Sequence, residues 1–92
     1  MGKYLIEVPH ESDKAACARA IQVFHATGSH FVANADWGCD DGEHKAWIIV
    51  EVASKEDARS ILPPAYRSEA KVVKLTKFTL QEAEEILSQH EA

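Results

Sequence analysis

The stretch Asp36-Trp37-Gly38-Cys39-Asp40-Asp41-Gly42-Glu43-His44-Lys45-Ala46-Trp47 constrains the fold most. Asp41-Gly42 supplies the positive φ angles of a tight primed turn, and alternating residues flank it, so it predicts a β-hairpin tip. Strands over residues 29–39 and 44–53 pair across that tip. With a two-residue turn, Cys39 faces His44, Trp37 faces Ala46, Ala35 faces Ile48 and Ala33 faces Val50. Directly opposed residues share a face, and this one is nearly all apolar, so it should lie under helices. The opposite face carries His30, Val32, Asn34, Asp36, Lys45, Trp47, Ile49 and Glu51. A one-residue slip would exchange the two sets.

The remaining elements follow from periodicity and capping. Lys3-Tyr4-Leu5-Ile6-Glu7-Val8 alternates as a first strand, which Pro9 ends. Ser12 or Asp13 caps a helix whose stripe is Ala16, Cys17, Ala20, Ile21, Val23 and Phe24, and Gly28 terminates it. Ser54-Lys55-Glu56-Asp57 resembles a capping box and opens a short helix that Pro63-Pro64 stops. A fourth strand covers residues 70–78. Thr79-Leu80-Gln81-Glu82 is a clean capping box for a last helix over 79–91.

Ninety-two residues make a single domain, 1–92, with a modest core, to which a metal, a disulfide or a partner subunit would add stability. The balance is acidic, 15 Asp+Glu against 10 Lys+Arg, which argues against nucleic acid as the main partner. No apolar run approaches the roughly 20 residues of a membrane span, so no membrane association is expected. Met1-Gly2-Lys3-Tyr4 enters a strand pattern at once, without the layout of a signal peptide, and a cytoplasmic location is the expectation. Cys17 and Cys39 then read as thiols or metal ligands rather than as a structural disulfide.

The order β-α-β-β-α-β with a terminal helix resembles the ferredoxin-like fold: an α+β sandwich with an antiparallel sheet in the order 4-1-3-2. Lys3-Tyr4-Leu5-Ile6-Glu7, the hairpin tip and the Glu51-Val52-Ala53-Ser54 step look like small proteins of the dimeric α+β barrel superfamily. That group includes muconolactone isomerase-like proteins, antibiotic-biosynthesis monooxygenases and small nickel-binding proteins. The resemblance implies a homodimer that pairs open sheet faces, and it assigns no functional residue.

On this fold the end of the first strand, the start of the first helix and the hairpin tip meet at one end. His10, Cys17, Cys39 and His44 converge there. Two thiolates and two imidazoles suit Zn²⁺ in a closed tetrahedral site, and the same ligands accept another soft or borderline metal. The spacing carries no C-x-x-C. The same residues also read as ordinary structure: two small buried cysteines, a hairpin-end histidine and a loop histidine. A Cys17–Cys39 redox disulfide is a further alternative if the Cα atoms come within roughly 7 Å. So is a nucleophilic thiol beside a histidine.

The open sheet face offers a second constellation, Glu7, His30, Asp36, Trp47 and Glu51. In a dimer it would line a small-molecule cavity, with His30 or Glu51 as a general base. Alternatively it is a plain interface anchored by Trp47. Arg67, Lys71, Lys74 and Lys77 form a basic run that edge-strand protection explains. Three functions fit. The first is a small homodimeric binding protein with a metal or thiol site. The second is a dimeric-barrel enzyme of isomerase or monooxygenase type. The third is a structural or regulatory dimer.

Overall fold

The computed structural model describes residues 1–27 and 29–91, without the side chain of Glu91; Gly28, expected to end the first helix, lies outside the described residues. Strand β1 (Gly2–Pro9) buries alternate residues, Tyr4, Ile6 and Val8. Helix α1 (Lys14–Ala26) starts at Asp13, whose carboxylate accepts from the Ala16 N–H at 2.7 Å. That bond satisfies one of the donors left free at a helix start. Ala16, Ala20 and Phe24 are its buried face, spaced four apart as a helix packed on a sheet requires.

After a short helix α2 (His30–Ala33) and strand β2 (Asp36–Trp37), the chain turns through a 3₁₀ segment, Cys39–Asp41, into β3 (Lys45–Val52). Helix α3 (Lys55–Ser60) is capped by the Ser54 hydroxyl, which accepts from Asp57 N–H at 3.1 Å. A 3₁₀ turn, Pro64–Tyr66, leads to β4 (Lys71–Leu75), and α4 (Leu80–Glu91) closes the order. Both halves of the last capping box form. Thr79 N–H donates to the Glu82 carboxylate at 3.2 Å, and Glu82 N–H donates to the Thr79 hydroxyl at 3.1 Å.

The sheet has four antiparallel strands in the order β2-β3-β1-β4, the expected 4-1-3-2 seen from the other edge. Asp36 faces Trp47 and Trp37 faces Ala46, in the expected hairpin register. The core gathers Tyr4, Ile6 and Val8 with Ala46, Ile48, Val50, Phe24 and Leu62. Arg67, counted above in a basic run, is instead a loop fastener. Its Nε donates to the Leu62 carbonyl at 2.8 Å, while its own carbonyl accepts from the Arg59 guanidinium.

Two expectations are corrected. The second strand is not a long arm over 29–39. Residues His30–Ala33 are helical, so the pairs Ala35–Ile48 and Ala33–Val50 do not form, and Val32 is buried in the core instead of lying on the open face. The reason is volume: Ala33 and Ala35 would leave the edge of the core thinly filled, whereas one helical turn inserts the Val32 side chain. The barrel resemblance fails as well. The sheet ends at β2 on one side and β4 on the other and does not close. With a strand of 2 residues at one edge and 5 at the other, it lacks the long, staggered strands that closure needs.

Candidate metal centre

The site is built where β1 and β3 run out. Their pairing ends at Pro9 opposite Lys45, and His10 continues it by one residue, donating its N–H to the His44 carbonyl at 3.1 Å. Continuing the same register sets the two histidines side by side, with ring centroids 5.6 Å apart.

The tip brings in the sulfur. Gly38 N–H donates to the Lys45 carbonyl at 3.0 Å, and the Gly38 carbonyl accepts from Glu43 N–H at 3.0 Å. Between them Cys39–Asp41 makes one 3₁₀ turn, which Gly42 closes at φ 81°. Only glycine takes that left-handed angle without steric cost. The tip is thus wider than a two-residue turn, and Cys39 sits inside it rather than across a strand pair from His44. Ligand atoms of His10, Cys39 and His44 nevertheless all lie within 4.8 Å of one another, on half-buried residues. Cys17, in the first turns of α1, is joined to Cys39 by a disulfide with Cα atoms 6.9 Å apart. The two cysteines are therefore not the free thiols or metal ligands expected from the sequence; the alternative Cys17–Cys39 pairing is the one formed.

The hydrogen bonds of His10 decide its chemistry. Nδ1 stands 2.8 Å from the Glu11 carbonyl, which can only accept, so Nδ1 carries the proton. In the neutral ring Nε2 is then a bare lone pair, and it faces Cys39 Sγ at 3.2 Å. A disulfide sulfur has no hydrogen to donate, so two electron-rich atoms meet. A thiol hydrogen or a metal cation would resolve that contact. His44 adds a second unsatisfied group: its Nδ1 is buried with no hydrogen-bond partner among the described residues. Buried ring nitrogens are normally paired, and an exception calls for a proton, a water or an ion.

The spacing suits one ion. Two ligands on a tetrahedral zinc stand about 3.5 Å apart, given bonds of about 2.0 Å to nitrogen and 2.3 Å to sulfur. The observed 3.2 Å contact and 4.8 Å limit bracket that value. With Cys39 as a thiolate, the His10, Cys39 and His44 cluster can coordinate a divalent metal such as zinc. The Glu11 carbonyl holds the His10 ring at Nδ1, the kind of outer partner that a ligating histidine takes.

Trp37 completes the site and was not singled out from the sequence. Its ring lies 5.9 Å from His10 and 5.0 Å from Phe24, walling the histidine off from the core. Its place opposite Ala46, one pair inside the tip, was the available signal. Behind His10 a cleft of about 600 Å³, lined by Pro9, Glu11, Arg19, Val23, Tyr66 and others, leads in from the surface.

The second constellation is brought together in part. His30, Asp36 and Trp47 line a cleft of about 330 Å³ with Leu5, Phe31 and Ile49. Glu7 stands beside it, accepting from Trp47 Nε1 at 3.2 Å and pairing with Lys45 at 3.6 Å. Glu51 pairs across to Lys3 at the far end of the sheet and does not line the cleft. No helix among the described residues is long and apolar enough to cross a membrane.

Comparisons of the chain with family models, with curated proteins and with solved structures find no match.

The tip also makes a sharp packing prediction. A Cβ on Gly38 would stand 2.6 Å from Trp47 Cζ3 and 2.8 Å from the Glu43 carbonyl oxygen. The backbone atom cannot yield cheaply, so Gly38→Ala is expected to cost roughly 1–3 kcal/mol by overpacking. A thermal melt should fall by on the order of 10 °C. An unchanged melt would mean that the tip does not fold back on Trp47.

Proposed function

We propose that the chain is a small metal-binding protein whose ligands are His10, Cys39 and His44, joined by Cys17 once the disulfide is reduced. The observation that carries this reading is His10 Nε2 facing Cys39 Sγ at 3.2 Å, beside a His44 ring whose Nδ1 has no hydrogen-bond partner among the described residues. The donor set, two imidazoles and two thiolates, is that of closed zinc centres. Exposed Glu11, Asp40, Asp41 and Glu43 surround the tip and add a negative potential that draws cations toward it.

Metal and disulfide compete for the same sulfurs. Reduction by two equivalents of a small thiol breaks the Cys17–Cys39 bond. The first thiolate forms a mixed disulfide, and the second displaces the protein sulfur and leaves as the small-molecule disulfide. The two protein thiols then surrender their protons to solvent as the metal binds. A cytoplasmic setting would hold the protein in this reduced, metal-competent form. We further take the molecule to act as a homodimer through its open sheet face, which carries exposed Ile49 beside Leu5 and Val73.

Elemental analysis of untagged protein purified with a thiol reductant tests the assignment. The expected content is about one zinc per chain, falling to near zero after oxidation and in His10→Ala and His44→Ala. Metal-free reduced protein, or full occupancy retained in both histidine variants, would overturn it.

A further inference from the structure

Helix α4 stands almost fully exposed among the described residues. From Leu80 to His90 every residue is exposed except the half-buried Ala83. Leu80 is 76% exposed, Ile86 45% and Leu87 55%. At 100° per residue Leu80, Ala83, Ile86 and Leu87 form one apolar stripe, with Glu84 on one flank and Glu82 on the other. A helix of this length is marginal alone in water and gains its stability from burying such a stripe.

The open sheet face is the matching half. Leu5, Ile49 and Val73 sit in one cross-strand row, with Leu75 and Trp47 in the adjoining rows. Ile49 is 58% exposed. Exposed Lys3 and Lys71 stand at the two ends of this apolar band along the strands, in rows that also carry Glu51 and Glu7, the latter already paired with Lys45. The lysines meet a helix that is entirely acidic among its charged carboxylate and ammonium groups: beyond Lys77 the chain has Glu82, Glu84, Glu85 and Glu91 and no lysine or arginine. An apolar stripe flanked by glutamates thus has its counterpart in an apolar band with Lys3 and Lys71 among the charges at its ends.

We infer that α4 of one copy lies across the open sheet face of a second copy, and reciprocally. This rests on the homodimer reading and specifies its contact. The two identical contacts are related by a two-fold axis, the commonest closed arrangement of two chains. Ile86 and Leu87 enter the cleft between His30, Phe31, Trp47 and Ile49, while Glu82 and Glu84 reach the lysines. Each chain covers its exposed apolar face with the partner's helix, which neither surface achieves alone.

Sedimentation of the full chain and two variants tests this. The wild type should sediment as two chains. Ile49→Glu, on the face, and Leu87→Glu, on the helix, should each sediment as one. Mixing the two variants should restore a two-chain species, because one Leu87-bearing helix still meets one Ile49-bearing face. A monomeric wild type would overturn both the dimer and the contact. A dimer that survives either substitution would overturn the contact and leave the dimer standing. Two monomers that fail to recombine would likewise overturn it, pointing to face-to-face packing of sheets. Should either variant lose its far-ultraviolet circular dichroism, the charge arm replaces it. There, Lys3→Glu with Lys71→Glu weakens the dimer at least tenfold, and Glu82→Lys with Glu84→Lys in the same chain restores it. Charge reversal without effect would overturn the contact.

Discussion

Cys39→Ser is expected to abolish zinc binding and to remove the disulfide at the same time, because one sulfur belongs to both. Under oxidising conditions the loss is a cross-link spanning 22 residues, worth about 3 kcal/mol on the chain-entropy account. Under reducing conditions the loss is the metal's contribution, about 2.7 kcal/mol when free zinc stands at a hundredfold its dissociation constant. Cys17→Ser separates the two. It breaks the same disulfide but leaves His10, Cys39 and His44 within 4.8 Å of one another. It should therefore match Cys39→Ser in oxidised melts, yet still rise in melting temperature when zinc is added to reduced protein. Equal zinc responses from the two variants would show that Cys39 has no special place in the site.

Phe24→Ala should be the most damaging change in the core. The ring is 0% exposed. It lies 5.0 Å from Trp37 and meets Tyr66 edge-on at 5.5 Å. Emptying such a site costs about 3–5 kcal/mol, a large share of the 5–15 kcal/mol typical of a domain. The consequence reaches the proposed metal site, because the wall that Trp37 presents to His10 rests on this ring. The urea midpoint should drop steeply, and zinc affinity should fall with it even where the protein remains folded. A wild-type midpoint would contradict the packing described.

Much of the fold is legible in the residues, for reasons that can be named. The alternation of Tyr4, Ile6 and Val8 and of Ala46, Ile48 and Val50 marks strands with one buried face. Asp13, Ser54 and Thr79 mark helix starts because each offers an oxygen to a free backbone N–H. The hairpin register is legible too, since a one-residue slip would turn Trp37 off the face it shares with Ala46. Strand two misleads because Phe31 and Val32 are β-favouring residues. Their helical turn is decided by a tertiary demand, the burial of Val32 at the edge of the core.

The site divides in the same way. That His10, Cys17, Cys39 and His44 meet follows from topology alone, because strand end, helix start and hairpin tip share one end of the sandwich. What residue types do not reveal is the state of the sulfurs, since two cysteines within reach can bond to each other or to an ion. Nor does the sequence reveal the role of the Glu11 carbonyl, a backbone group with no residue signature that sets the tautomer of His10. The open-face group fails partly on distance along the strand: Glu51 lies opposite Lys3, whereas Trp47 lies opposite Glu7.

Cobalt(II) added to the reduced protein tests the metal centre most directly, because its spectrum reports both geometry and ligands. One equivalent should produce the strong visible bands of a tetrahedral ion together with thiolate-to-metal charge transfer. Zinc should displace them, and oxidation to the Cys17–Cys39 disulfide should erase them. A weak octahedral spectrum without charge transfer, unchanged by oxidation, would contradict a site built from His10, Cys39 and His44.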